Sequence, residues 1–213
     1  MFPLQEPLWW QNLVMYLNDY MKYHDFLITI VPITADIFVF FFPVLLIVLY
    51  IIGMVKKNDN IKESSLWIFW SAIITSAVNV CLQFFFEKAR PSVLIFGQLD
   101  TETLLHKFLP NSSFPSDHAA MSMWFAIGIL LLWIRNKKKI YIWLWVIFLL
   151  FSLIMWVSRI MVWVHWPTDI IWGFLIWIIV PIILFSRPVY GLLKKILIDP
   201  LIKFQKLIIR DNF

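Results

Sequence analysis

Five apolar runs, about residues 26–55, 66–87, 117–134, 140–158 and 169–186, constrain this chain more than anything else in it. Each is close to or beyond the ~20 residues a helix needs to cross a bilayer. In lipid a segment must satisfy its own backbone hydrogen bonds, so runs of this kind can only be helices. With 62% hydrophobic and 15% charged residues, the 213-residue chain carries more apolar surface than a water-soluble fold of that length buries. The expected fold is therefore an all-α integral membrane protein, a bundle of five strong transmembrane helices with an N-terminal interfacial (or short sixth) helix. Trp67, Trp70, Trp133, Tyr141, Trp143, Trp163 and Trp166 fall near the proposed boundaries, where amphipathic rings favour the headgroup layer.

Basic residues set the expected orientation. Lys56, Lys57 and Lys62 fill the first inter-span loop, Arg135, Lys137, Lys138 and Lys139 the third, and Arg187, Lys194, Lys195, Lys203, Lys206 and Arg210 the tail. The positive-inside rule places these on the cytoplasmic side, with the C-terminus. A net charge of +5 gathered in this way reflects topology rather than a nucleic-acid groove. No basic n-region precedes the first apolar run, so no removed signal peptide is expected. Residues 1–25 mix Glu6, Asn18, Asp19, Lys22, His24 and Asp25 with Trp9, Trp10 and Tyr16, as an amphipathic helix lying in the outer interface would. The tail, 187–213, is expected either on the inner leaflet or solvated. One domain, 1–213, is expected. Its single cysteine, Cys81, rules out an intramolecular disulfide and reads as a small buried hydrophobe.

Three short polar islands interrupt the apolar pattern: Arg90-Pro91, Phe114-Pro115-Ser116-Asp117-His118, and Ser158-Arg159 with His165 and Asp169. Charged groups at membrane depth are costly unless they serve a function, and topology puts all three islands on the non-cytoplasmic face. Phosphoryl transfer needs positive charge and N–H donors around three oxygens, an in-line nucleophile, and an acid for the leaving oxygen. Pro115 leads into the third apolar run, so free N–H groups and the positive dipole end make an anion seat there. Ser116 adds a hydroxyl, and His118 is placed to protonate a leaving group. Asp169, in the first turn of a helix opened by Pro167, reaches back toward His165 and fixes its tautomer, leaving the other ring nitrogen as nucleophile. Arg90 and Arg159 supply planar forks for phosphate oxygens.

These islands resemble those of the type 2 phosphatidic acid phosphatase family, PAP2, which shares its core with vanadium haloperoxidases. Pro115-Ser116-Asp117-His118 is similar to the family's Pro-Ser-Gly-His motif. Ser158-Arg159, with five residues to His165 and three more to Asp169, matches its third motif in full. The resemblance covers about 66–186, the expected catalytic core. It implies a phosphatase acting through a phosphohistidine on His165, with His118 and Asp169 as its catalytic partners, Arg90, Arg159, Ser116, Lys88 and Asp117 around the phosphate, and neither metal nor other cofactor. Two positions depart from the pattern. Gln83 stands where the first motif has lysine, seven residues before its arginine, with Lys88 as a substitute source of charge. Asp117 stands where glycine is commoner. The Phe-Pro-Ser-Asp-His string resembles the bacterial undecaprenyl-diphosphate phosphatase branch. That likeness implies a polyprenyl diphosphate substrate at the outer face of the cell (inner) membrane.

Other readings stay open on sequence alone. Another lipid phosphate could be the substrate: phosphatidate, phosphatidylglycerophosphate or a lipid A phosphate. A lipid phosphotransferase would use the same phosphohistidine, and a transporter would need the arginines without the nucleophile. A metal site built on the histidines and aspartates is opposed by the two arginines, which repel a cation. Asp36 within the first span is a functional suspect by its position alone. Glu87 reads as a local charge partner of Lys88 and Arg90, and His106 and Lys107 as residues of a loop near the site.

Overall fold

The computed structural model describes residues 6–96, 112–137 and 139–210. His106 and Lys107 lie outside the described residues. The described chain is helical: α1 (Leu8–Lys22), α2 (Asp25–Val55), α3 (Asp59–Phe85), α4 (Pro91–Phe96), α5 (Asp117–Asn136), α6 (Lys139–Met161), α7 (Pro167–Phe185), α8 (Arg187–Leu193), a π-helical turn (Lys194–Ile198) and α9 (Asp199–Arg210). Three of these, α3, α6 and α7, are long and apolar enough to cross a membrane. The α2 pair Asp25–Ile37 and Phe40–Val55 would be a fourth span, bent by 46° at the break. Pro43 explains the bend, because its ring removes the hydrogen bond to the carbonyl four residues earlier and crowds that turn. In α5 the apolar part is shorter, Asp117–Leu131.

Helix α5 sits in the middle, packed against α2, α3, α6 and α7. Ala119, Ala120, Ser122 and Ala126 on it are fully buried, and residues this small let neighbouring backbones come close. Around them Phe42, Trp67, Ile68, Trp124, Phe125, Phe148 and Trp177 form the main core. Trp67 and Trp166 are thus interior residues, not the headgroup anchors their positions suggested, whereas Trp143 does face outward.

Along α3, buried Ser71, Thr75, Asn79 and Gln83 recur every fourth residue and form one polar stripe. Ser71 accepts the Trp124 indole N–H (2.9 Å), and Thr75 donates to the Ser71 carbonyl (2.7 Å). Cys81, two residues past Asn79, falls on the opposite side and is exposed, which corrects its expected burial. Helix α3 also begins seven residues before the expected span. Asn58 caps it by accepting from the Asn60 and Ile61 amides (3.0 and 3.3 Å). Its polar first turns are covered by the tail, since Lys62 reaches Gln205 (3.1 Å) and Glu63 holds Lys194 (2.6 Å). The tail is accordingly docked, with Ile198 and Ile202 in the core and Leu201, Phe204 and Leu207 outward.

The expected amphipathic N-terminal segment is α1. Val14, Asn18 and Met21 form its buried stripe while Leu8, Trp9 and Tyr16 face out. Asn18 ties it to the end of α6 through the Met161 carbonyl (2.6 Å).

Candidate active site

The turn joining α6 to α7 brings Arg159, His165 and Asp169 together. The Val164 and His165 amides both return to the Arg159 carbonyl (3.2 and 3.4 Å), folding the loop over the arginine. Trp163 sits at φ 62°, a strained value for a bulky side chain, and its carbonyl accepts the Ser92 amide (3.1 Å). Pro167 opens α7 as expected, with its fixed φ and its missing N–H where neither costs a helical bond.

His165 is buried. Its Nδ1 lies 2.8 Å from the Ser113 carbonyl, which can only accept, so Nδ1 carries the proton. Nε2 then holds the lone pair, 3.0 Å from the Arg159 guanidinium NH2. Burial, followed by the charges of Arg159 and Arg90, holds the imidazole well below its ordinary pKa and therefore neutral. Asp169 does not make the direct bond expected of it: its Oδ2 is 3.8 Å from Nδ1 and accepts the Trp166 amide instead (2.8 Å). The tautomer is fixed by a backbone carbonyl, with the carboxylate just behind.

At the start of α5, buried Ser116 serves as the helix cap: its hydroxyl accepts the Ala119 amide (3.4 Å), while its own amide donates to the Asp169 carbonyl (3.2 Å). A Cβ at position 173 would come within 3.0 Å of the Ser116 carbonyl, so Gly173 is what lets α7 approach this helix end. His118, half-buried, has Nε2 3.4 Å from Asp36 Oδ1. The same Asp36 oxygen accepts from Arg159 NH1 (2.6 Å). Arg90, immediately before α4, donates to the Val164 carbonyl (3.4 Å) and lies within electrostatic reach of His118, Arg159 and His165. Two arginines and two histidines therefore converge, and the unprotonated imidazole nitrogen among them, His165 Nε2, accepts from Arg159.

The two departures from the motif pattern touch each other. Gln83 Nε2 donates to both Asp117 carboxylate oxygens (3.2 and 3.1 Å) and to the Pro115 carbonyl (3.2 Å). Asn79 donates to the same carboxylate and, at 3.3 Å, to the same carbonyl. Lys88 turns elsewhere: its buried ammonium is held by Glu6, Thr168 (2.7 Å) and Asp169 Oδ1 (2.6 Å). Glu87, expected as its partner, is exposed.

Reasoning from sequence missed the Ser113 carbonyl, because a backbone acceptor leaves no trace in residue type. It also assigned no role to Glu6, whose signal was a carboxylate among the aromatic residues of an interfacial segment. Asp36 had its signal, an acid inside a span, and the structure gives it partners.

Helices long and apolar enough to cross a membrane, carrying a site lined by arginine and histidine, suit an oxyanion substrate. The family model of the PAP2 superfamily matches residues 64–190, and the chain belongs to that superfamily. Its members are phosphatases, so membership supports a phosphoester hydrolase. No curated protein and no solved structure matches the chain. All three polar islands fall inside the matched segment, whereas Glu6 and Asp36 lie outside it.

Proposed function

We propose that this protein is a metal-independent membrane phosphatase that converts undecaprenyl diphosphate to undecaprenyl phosphate. The observation carrying the chemistry is the His165 ring, with Nδ1–H on the Ser113 carbonyl and a lone pair on Nε2 beside Arg159. Nε2 attacks the terminal phosphorus; the N–P bond forms as the bridging P–O bond breaks, and His118 gives its proton to the departing oxygen. Asp36 partners His118 in that step. Arg90 and Arg159 hold the equatorial oxygens, with Arg159 passing from Nε2 to the incoming phosphate. Water then attacks the phosphohistidine, His118 takes the proton, and inorganic phosphate leaves. Ser116 and the α5 N-terminus, with Asp117 nearby, border the phosphate seat. Lys88 acts on Asp169 instead of on the phosphate.

Five spans cross the membrane in this reading, α5 being the central and shortest. The start of α3, just after Lys56 and Lys57, meets the tail at one end of the bundle through the Glu63–Lys194 and Lys62–Gln205 contacts, and both stretches are rich in lysine. That end is cytoplasmic by the positive-inside rule, with the C-terminus. The site then opens on the outer or periplasmic face of the cell membrane, where a lipid carrier of cell-wall precursors is regenerated. The Phe114–His118 string supports the polyprenyl substrate.

The test is phosphate release by the purified protein in detergent with chelator, comparing undecaprenyl diphosphate with phosphatidate and phosphatidylglycerophosphate. His165→Ala serves as the blank. Preferential release from the isoprenyl diphosphate, lost in the variant, is expected. Release mainly from a glycerolipid would overturn the substrate and keep the chemistry, and release from none would favour a transferase or transporter.

A further inference from the structure

Behind Asp169 lies a cluster that the phosphatase chemistry leaves unexplained. Lys88 and Glu6 side chains are each 3% exposed and Asp169 is fully buried, so two carboxylates share one ammonium away from water. Thr168 also donates to Glu6. Glu6 Oε2 has no hydrogen-bond partner among the described residues. A lone Lys88–Asp169 pair would be neutral. Bringing in a second carboxylate from the N-terminal segment, 82 residues away in the chain, adds a buried negative charge that stability alone disfavours. The segment is held there: Gln11 donates to the Glu6 carbonyl (3.0 Å), and α1 is tied to α6 by Asn18.

We infer that Glu6 is a positioning residue for the nucleophile, acting through Lys88 and Asp169 to supply the negative charge that balances a phosphorylated His165. This rests on the reading of His165 as the attacking group. When Nε2 bonds to phosphorus the ring keeps its Nδ1–H and becomes cationic. Arg159 and Arg90 already oppose positive charge on that ring. The Glu6–Lys88–Asp169 cluster is the compensating term, net −1 and touching the ring's far side through Asp169, 3.8 Å from Nδ1. Nδ1–H stays on Ser113, and no proton needs to move along the cluster.

Charge bookkeeping gives the experiment. Glu6→Gln makes the cluster neutral, Lys88→Met leaves it at −2 with two carboxylates unpaired, and the double variant E6Q/K88M restores −1. Steady-state turnover of undecaprenyl diphosphate and quench-flow yield of phosphoenzyme would be measured for each, with His165→Ala as the blank and thermal midpoints as the check on folding. Glu6→Gln is expected to lower kcat about tenfold with KM within about twofold, and to lower the phosphoenzyme yield. Glu6→Asp should stay nearer the parent, and E6Q/K88M should turn over faster than E6Q. A folded E6Q with parental kcat overturns the inference, as does a double variant no faster than E6Q, which would mark Glu6 as packing. Should E6Q not fold, the double variant decides alone: kcat within about fivefold of the parent supports the charge role, and a loss of about a hundredfold overturns it. Turnover that survives in His165→Ala sinks the nucleophile reading and this one together; a dead His165→Ala beside a parental E6Q sinks only this one.

Discussion

The two ends of the bundle handle buried charge in opposite ways. At the end where the tail docks, charges are closed off by one another. Glu63 takes Lys194 on one oxygen and Tyr190 on the other, Lys62 bonds Asp59 (2.7 Å) and Gln205, and Lys194 also reaches Asp199 (3.0 Å). At the other end the partners are unequal. Arg159 divides itself among Asp36, the Ala35 carbonyl and a neutral imidazole. Partners that satisfy one another stabilise a structure; partners with capacity left over can turn to a ligand. The same residue types thus fasten one end and, in the proposed function, meet an anion at the other.

Removing the proposed nucleophile is the strongest way to break that contrast. His165→Ala should lower kcat by about 10³-fold or more, with the protein still folded and monodisperse, because the covalent step proposed for it disappears. Asp36→Asn comes next: it leaves Arg159 and His118 in place but takes away the carboxylate they share, and kcat should fall about 10- to 100-fold. Comparing kcat and KM separates the outcomes. A rise in KM alone would make Asp36 a support for binding through Arg159, not a partner of His118 as the proposed acid.

Much of the fold was legible because long apolar segments announce themselves. The ends of α2 and α7 fall within two residues of the apolar runs, and the spacing of Ser158, Arg159, His165 and Asp169 survives as a single turn. What was not legible depends on contacts between segments far apart in the chain. The start of α3 was hidden because Asp59, Lys62 and Glu63 read as loop residues until the tail is seen covering them. Lys88 read as a phosphate ligand because its charge is visible in sequence and its direction is not. Gln83 and Asp117 read as two separate anomalies, though each explains the other: a glutamine donates to a carboxylate where a lysine would have carried charge.

The closed end should answer in stability and not in turnover. Glu63→Gln removes a carboxylate that holds both Tyr190 and Lys194 and should cost about 1–3 kcal/mol, read as a lower thermal midpoint in detergent, with kcat unchanged. A fall in kcat at equal folded fraction would show that the two ends are coupled. At the site end the pH dependence of stability has a definite sign. His165 is held below its ordinary pKa near 6.5, so below that value the unfolded chain binds a proton the folded one refuses. The thermal midpoint should therefore fall as pH drops from 7 to 5, and His165→Ala should flatten that slope.

The smallest effect belongs to the most visible ion pair at the closed end. Lys206 meets Asp59 with 56% and 48% of their side chains exposed, and water screens both partners. Exposed pairs contribute about 0–1 kcal/mol, because the charges are almost as well solvated apart and two long side chains lose freedom when joined. Lys206→Ala should shift the thermal midpoint less than Glu63→Gln, in a direction that disappears as salt is raised. A loss equal to that of Glu63→Gln would mean that α9 itself, and not the buried Glu63 contacts, keeps the tail on α3.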